Sequence, residues 1–72
     1  MKRLKLGNRL KVGRAERRLT QAELARLAGV TRQTISSIEN GEFVPSALLA
    51  FVLAKRLEMR VEELFRLEGD EG

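Results

Sequence analysis

Along most of the chain, apolar residues return every three or four positions, the period of helices packed on one side. Leu6, Leu10 and Ala15 fall on one such face and predict a first helix over about Asn8 to Arg18. Gly13 sits inside that span, where glycine costs about 1 kcal/mol relative to alanine; close packing against another helix is the expected reason. Thr20 opens TQAELARLAG, and Thr20 with Glu23 has the spacing of a capping box. Leu24, Ala25 and Ala28 form the apolar stripe of this second helix, and Gly29 ends it. Thr31 can cap a third helix over about Arg32 to Asn40, which Gly41 closes. After EFVP, Ser46 caps a fourth helix from Ala47 to about Leu57, with Pro45 holding the approach extended. A short fifth helix near Val61 to Phe65 turns Val61, Leu64 and Phe65 inward. RLKL at 3–6 and FRLE at 65–68 alternate weakly, which allows a small terminal strand pair, and the polar tail 67–72 is expected to be loose. The chain therefore reads as a single all-α domain over 1–72, with two short helices and a tight turn between about 20 and 40.

The third helix has two unlike sides. At about 100° per residue, Arg32, Gln33, Ser36, Ser37 and Asn40 lie within about 140° of one another. Ile35, Ile38 and Glu39 fall on the opposite arc. A solvated helix face more often carries Lys and Glu, whereas this one carries hydrogen-bonding groups of modest length. Arg can bond guanine O6 and N7 in pairs, and Gln can do the same to adenine N6 and N7. Both stand in the first turn, the part of a groove-reading helix that reaches base edges. The helix starts at Gln21 and Thr31 add backbone N–H groups suited to phosphates.

Charge supports the same partner. The net charge is +4, but residues 1–32 hold ten Lys and Arg against Glu16 and Glu23, a net +8, while residues 33–72 come to −4. A basic half suits a polyanion, although charge alone does not separate a nucleic-acid face from an unevenly charged solvated surface. No Cys or His is present, which removes disulfides and the common zinc sites. With no Tyr either, and Asp only at position 70, the chain offers little to an enzyme, and no cofactor or metal is expected. Its glycines match no phosphate-cradling spacing, and three Phe make no stacking platform for RNA. No apolar run approaches the roughly 18 to 20 residues of a membrane span, and the basic start MKRLKLGNRLKVGR lacks a signal peptide's apolar segment. A cytoplasmic protein is expected.

TQAELARLAGVTRQTISSIENGEFVPS resembles the phage-repressor (Cro-like, XRE-type) helix-turn-helix family. The matching pieces are Q-x-E-L-A, A-G-V-T, R-Q-T-I-S and I-E-N-G, then P-S before the next helix, and VEELF is similar to the family's closing helix. The similarity spans residues 8–66. It implies a compact five-helix bundle of the lambda-repressor-like type that binds double-stranded DNA, usually as a two-fold dimer on an operator. By the same resemblance Arg32, Gln33 and Ser37 face base edges. Gln21 bonds a phosphate, and Thr31, Thr34 and Asn40 contact or position the DNA backbone. Arg14 and Glu39 match a pair that joins the first and third helices. These readings together describe a transcriptional regulator, a repressor on a palindromic operator.

The fourth helix departs from the family pattern. LLAFVLAK is apolar almost all round, whereas Leu49, Ala50, Leu53, Ala54 and Leu57 already suffice for a core stripe. Leu48, Phe51 and Val52 are surplus and are expected to form a homodimer interface, the other possibility being burial under the N-terminal residues. The competing class is an antitoxin or co-regulator module whose main partner is another protein, with this helix as the partner site.

Overall fold

Three side-chain caps start helices where the sequence places them. Thr20 accepts from the Glu23 N–H at 3.0 Å while Glu23 accepts from the Thr20 N–H at 2.8 Å, so the capping box is closed. Thr31 accepts from the Thr34 N–H and Ser46 from the Leu49 N–H, each at 3.1 Å. In the computed structural model, which describes residues 4–69, the elements run β1 (Leu4–Asn8), α1 (Leu10–Glu16), α2 (Gln21–Ala28), α3 (Arg32–Glu39), α4 (Ala47–Arg56), α5 (Val61–Leu64) and β2 (Phe65–Gly69).

The helix ends share one device. In each of the first four helices a left-handed residue follows the last turn, and the next N–H reaches back to a carbonyl five residues earlier. Those bonds are Leu19 to Arg14, Val30 to Ala25, Glu42 to Ser37 and Met59 to Ala54, at 2.8–3.0 Å. The left-handed residues are Arg18, Gly29, Gly41 and Glu58. Gly29 and Gly41 hold this conformation without a Cβ penalty; Arg18 and Glu58 do not. Leu19, Val30 and Met59 then fold back onto the core. Two arginines cap helix ends elsewhere: Arg17 donates to the Leu57 carbonyl at 3.1 Å and Arg56 to that of Leu27 at 3.0 Å.

The core is Leu10, Leu24, Ala25, Ile35, Ile38, Leu53, Ala54, Leu57, Leu64 and Phe65, drawn from every helix. Each fully buried Leu or Ile contributes about 1.5–3 kcal/mol. Gly13 is buried where α1 meets the end of α4: a Cβ there would lie 2.7 Å from Met59 Sδ and 3.1 Å from Leu57 Cδ1. Close approach accounts for a glycine inside a helix.

The first helix is shorter than its apolar spacing predicts. Asn8 closes β1, and its Oδ1 accepts from the Leu10 N–H at 3.0 Å, so it lies before the helix, whose N-cap is Arg9. At the other end Arg18 is already left-handed, with φ 57°. Ala15, expected inward, is exposed because the helix turns its Leu10 and Gly13 side to the core. Leu6 packs against the core as expected, but from a strand.

The chain is also not wholly helical. β1 and β2 pair antiparallel from Leu4↔Gly69 to Asn8↔Phe65. Leu4, Leu6 and Asn8 share one face with Phe65, Leu67 and Gly69, while Lys5 faces Glu68 across the other. Residues 67–69, expected in a loose tail, belong to this ribbon, and Phe65 starts it where the fifth helix was expected to continue. Arg3 and residues 70–72, included in those expectations, lie outside the described residues.

Candidate nucleic-acid interface

The site is built on α2 and α3, joined by a turn in which only Gly29, Val30 and Thr31 separate the helices. Ile35 and Ile38 are 0% and 1% exposed, which fixes the rotation of α3 about its axis. That rotation turns Arg32, Gln33 and Asn40 to solvent and leaves Ser36 and Ser37 half-buried. Gln33 Nε2 donates to Ser37 Oγ at 3.3 Å, one turn along the same face. Thr31 and Thr34 share a hydroxyl hydrogen bond of 3.0 Å at the start of α3, beside backbone N–H groups that the helix leaves without internal partners.

Beneath this face lies a side-chain network. Arg14 Nε donates to Glu39 Oε2 at 2.8 Å and Arg14 Nη2 to Oε1 at 3.3 Å, while Nη1 donates to the Leu19 carbonyl at 2.9 Å. The pair joins α1 to the last turn of α3, and the Glu39 side chain is only 5% exposed. Gln21 Nε2 donates to the same Oε1 at 3.1 Å. The other end of that amide, Gln21 Oε1, accepts from Arg32 Nη1 at 3.2 Å. Burial pushes the Glu39 carboxyl up, but the hydrogen bonds from Arg14 and Gln21 and the charges of Arg14 and Lys11 outweigh it and hold it below its ordinary value. Asn8 adds a second brace, donating from Nδ2 to the Ile38 carbonyl at 2.9 Å.

Arg32, Gln33, Ser37, Gln21, Thr31, Thr34 and Asn40 thus belong to one pair of helices, with Arg14 and Glu39 packed behind them. Leu48 and Phe51 of α4 are 75% and 61% exposed, whereas Val52 is half-buried. Sequence reasoning missed three things here. The Gln21 amide is engaged at both ends, Lys11 acts on Glu39 from α1, and Phe43, Val44 and Leu67 are exposed apolar residues as well. Only the last had a signal, in the apolar residues of EFVP and FRLE.

This geometry has counterparts among known proteins. A family model described as helix-turn-helix matches residues 10–64. The chain is 48% identical over 64 residues to an uncharacterized HTH-type transcriptional regulator of Methanocaldococcus jannaschii, covering 89% of this chain and 97% of that one. It is 44% identical over 63 residues to a similar uncharacterized regulator of Bacillus subtilis, covering 88% and 96%. Among solved structures, the restriction-modification controller protein C.AhdI from Aeromonas hydrophila aligns with a TM-score of 0.72 at 31% identity, over 76% of this chain and 80% of that one. The chain belongs to the XRE-type helix-turn-helix family of DNA-binding transcriptional regulators. No helix among the described residues is long and apolar enough to cross a membrane.

Proposed function

We propose that this chain is a cytoplasmic repressor that binds a palindromic operator as a homodimer, with α3 of each copy in the major groove. The supporting observation is the two-sided α3: Ile35 and Ile38 are sealed in the core while Arg32 and Gln33 are exposed to solvent in its first turn. In this reading Arg32, Gln33 and Ser37 meet base edges. Gln21, Thr31, Thr34 and Asn40 hold the phosphate backbone, Gln21 through the amide hydrogen not given to Glu39. Leu48 and Phe51, with Val52 behind them, join the two copies.

Selection from a random duplex pool, run with the wild type and with the Arg32→Ala, Gln33→Ala double variant, tests this. The expected result is enrichment of two inverted half-sites about one helical turn apart, about 10 bp, lost in the double variant. Arg32→Ala alone costs about 1–3 kcal/mol and relaxes preference at one position. If Arg32→Ala changes neither affinity nor preference, base readout by α3 is wrong. The exposed Leu48 and Phe51 also favour one second reading, an antitoxin or co-regulator that offers this surface to another protein. Salt-sensitive binding with no enriched sequence would select that reading.

A further inference from the structure

The ribbon of β1 and β2 leaves one edge open. The Arg9 N–H donates to the Leu64 carbonyl at 2.8 Å, one step beyond the Asn8↔Phe65 pair. Inward hydrogen bonds therefore fall at Gly7↔Arg66 and Lys5↔Glu68, and the alternation turns the N–H and C=O groups of the residues between them outward, Leu67 at the centre of β2. Among the described residues nothing donates to or accepts from the Leu67 backbone. Its side chain is 68% exposed, although it shares a face with Phe65, which is 7% exposed. The β1 edge is less open, with Leu4, Leu6 and Asn8 half-buried. An edge protected from pairing carries a proline, a bulge or charges that repel. FRLEG at 65–69 has neither of the first two, and its charges, Arg66 and Glu68, are opposite in sign.

We infer that two copies of this chain pair edge to edge through β2, antiparallel about Leu67, and join their ribbons into one four-stranded sheet. The two Leu67 residues then exchange N–H···O=C bonds across the two-fold axis. Arg66 of each copy faces Glu68 of the other, so two cross-strand pairs of opposite charge form. Charge also selects this register. The neighbouring registers that keep the outward groups paired set Leu67 against Phe65 or Gly69, and these place Arg66 against Arg66 or Glu68 against Glu68. Within one copy Arg66 and Glu68 meet only at 3.4 Å on the surface, so pairing them across copies gives up little. So short a contact is weak by itself. It acts between copies already gathered on one duplex, where their effective concentration is high, and couples the occupation of neighbouring sites. That role rests on the reading of this chain as an operator-binding protein; the pairing itself does not.

The chain contains no Cys, so a single introduced thiol reports the contact. Leu67→Cys and Arg66→Cys are oxidised mildly at high protein concentration, without DNA. Pairing about Leu67 sets the two residues at that position about 5.5 Å apart between Cα atoms, inside the range a disulfide spans, about 4.4–6.8 Å. The two residues at position 66 are diagonal to each other, roughly 7–8 Å apart. Leu67→Cys should therefore form covalent dimers and Arg66→Cys should stay unlinked; if Leu67→Cys links no faster than Arg66→Cys, the pairing is overturned. The role on DNA is read by binding to duplexes that carry one selected site or two side by side at a series of spacings. The wild type should fill the second of two sites about 5- to 150-fold more tightly than a lone one at spacings that bring the ribbons together. Leu67→Pro removes the outward N–H at an edge that tolerates proline, and Arg66→Glu sets acid against acid. Both should lose the gain while keeping wild-type affinity for a lone site. If both keep the gain, or the wild type shows none at any spacing, coupling through β2 is overturned. If no site is selected at all, the operator-binding reading fails instead, and the oxidation result still decides the pairing.

Discussion

Glu39 is the residue on which stability and the candidate site depend together. Its carboxylate lies 5% exposed, accepts from Arg14 and Gln21, and is held below its ordinary value of 4.5. A group whose folded value is depressed stabilises the fold above its unfolded value and loses that contribution as pH falls through the folded one. Removing one partner of such a pair costs about 3–5 kcal/mol because the other charge is left buried. Arg14→Ala should therefore cost about that much at neutral pH, a large share of the roughly 5 kcal/mol or more a small domain possesses. The cost should shrink as the solution is acidified from neutral pH, because without Arg14 burial pushes the Glu39 carboxyl up and its protonation removes the stranded charge. Urea titrations of both proteins across that range check it, and a pH-independent cost would mean that the pair acts by packing alone. The sequence placed Arg14 with Glu39 through family resemblance. It could not place Gln21 between Glu39 and Arg32, since that bridge depends on how α2 and α3 cross.

At the scale of the elements, helix starts were legible and helix ends only half so. Thr20 with Glu23, Thr31 and Ser46 are local signals, and each forms the cap its spacing predicts. Gly29 and Gly41 mark two left-handed ends, but the ends of α1 and α4 use the same geometry at Arg18 and Glu58, with φ 57° and 56°. Nothing in those residue types signals a stop, so the first helix was read too long. The usable signal was the apolar residue after each one, Leu19 and Met59, which turns back to the core. Left-handed geometry costs a side-chain-bearing residue about 1–2 kcal/mol, partly offset because glycine gives the unfolded chain more freedom. Arg18→Gly should therefore raise stability by about 0.5 kcal/mol and the melting temperature by about 2–4 °C. Thermal unfolding of the two proteins measures this, and a loss of stability would show that the Arg18 side chain contributes packing larger than its backbone strain.

At the scale of the whole molecule, the two ends of the described chain meet in a ribbon and the apolar surface stays partly uncovered. The strand pair was faint in the sequence because each alternation is short, and its register depends on partners about sixty residues away. Asn8 ties that ribbon to α3 through the Ile38 carbonyl, so the end-to-end pairing and the candidate DNA face share a support. The surplus apolar character of α4 was legible: Leu48 and Phe51 are exposed and Val52 is half-buried, and Phe43, Val44 and Leu67 are exposed elsewhere. A 72-residue chain has a thin core, so a second copy seated on α4 would add stability that its own packing cannot. Association of that kind makes the melting temperature rise with protein concentration. Leu48→Glu with Phe51→Glu should abolish that rise and give a monomer by sedimentation. The monomer should stay folded, because neither side chain belongs to the core. It should also bind the selected two-half-site duplex far more weakly, since each copy would engage its half alone. A wild type that sediments as a monomer at all concentrations, with a melting temperature that does not move, would remove the homodimer and assign the α4 surface to another protein.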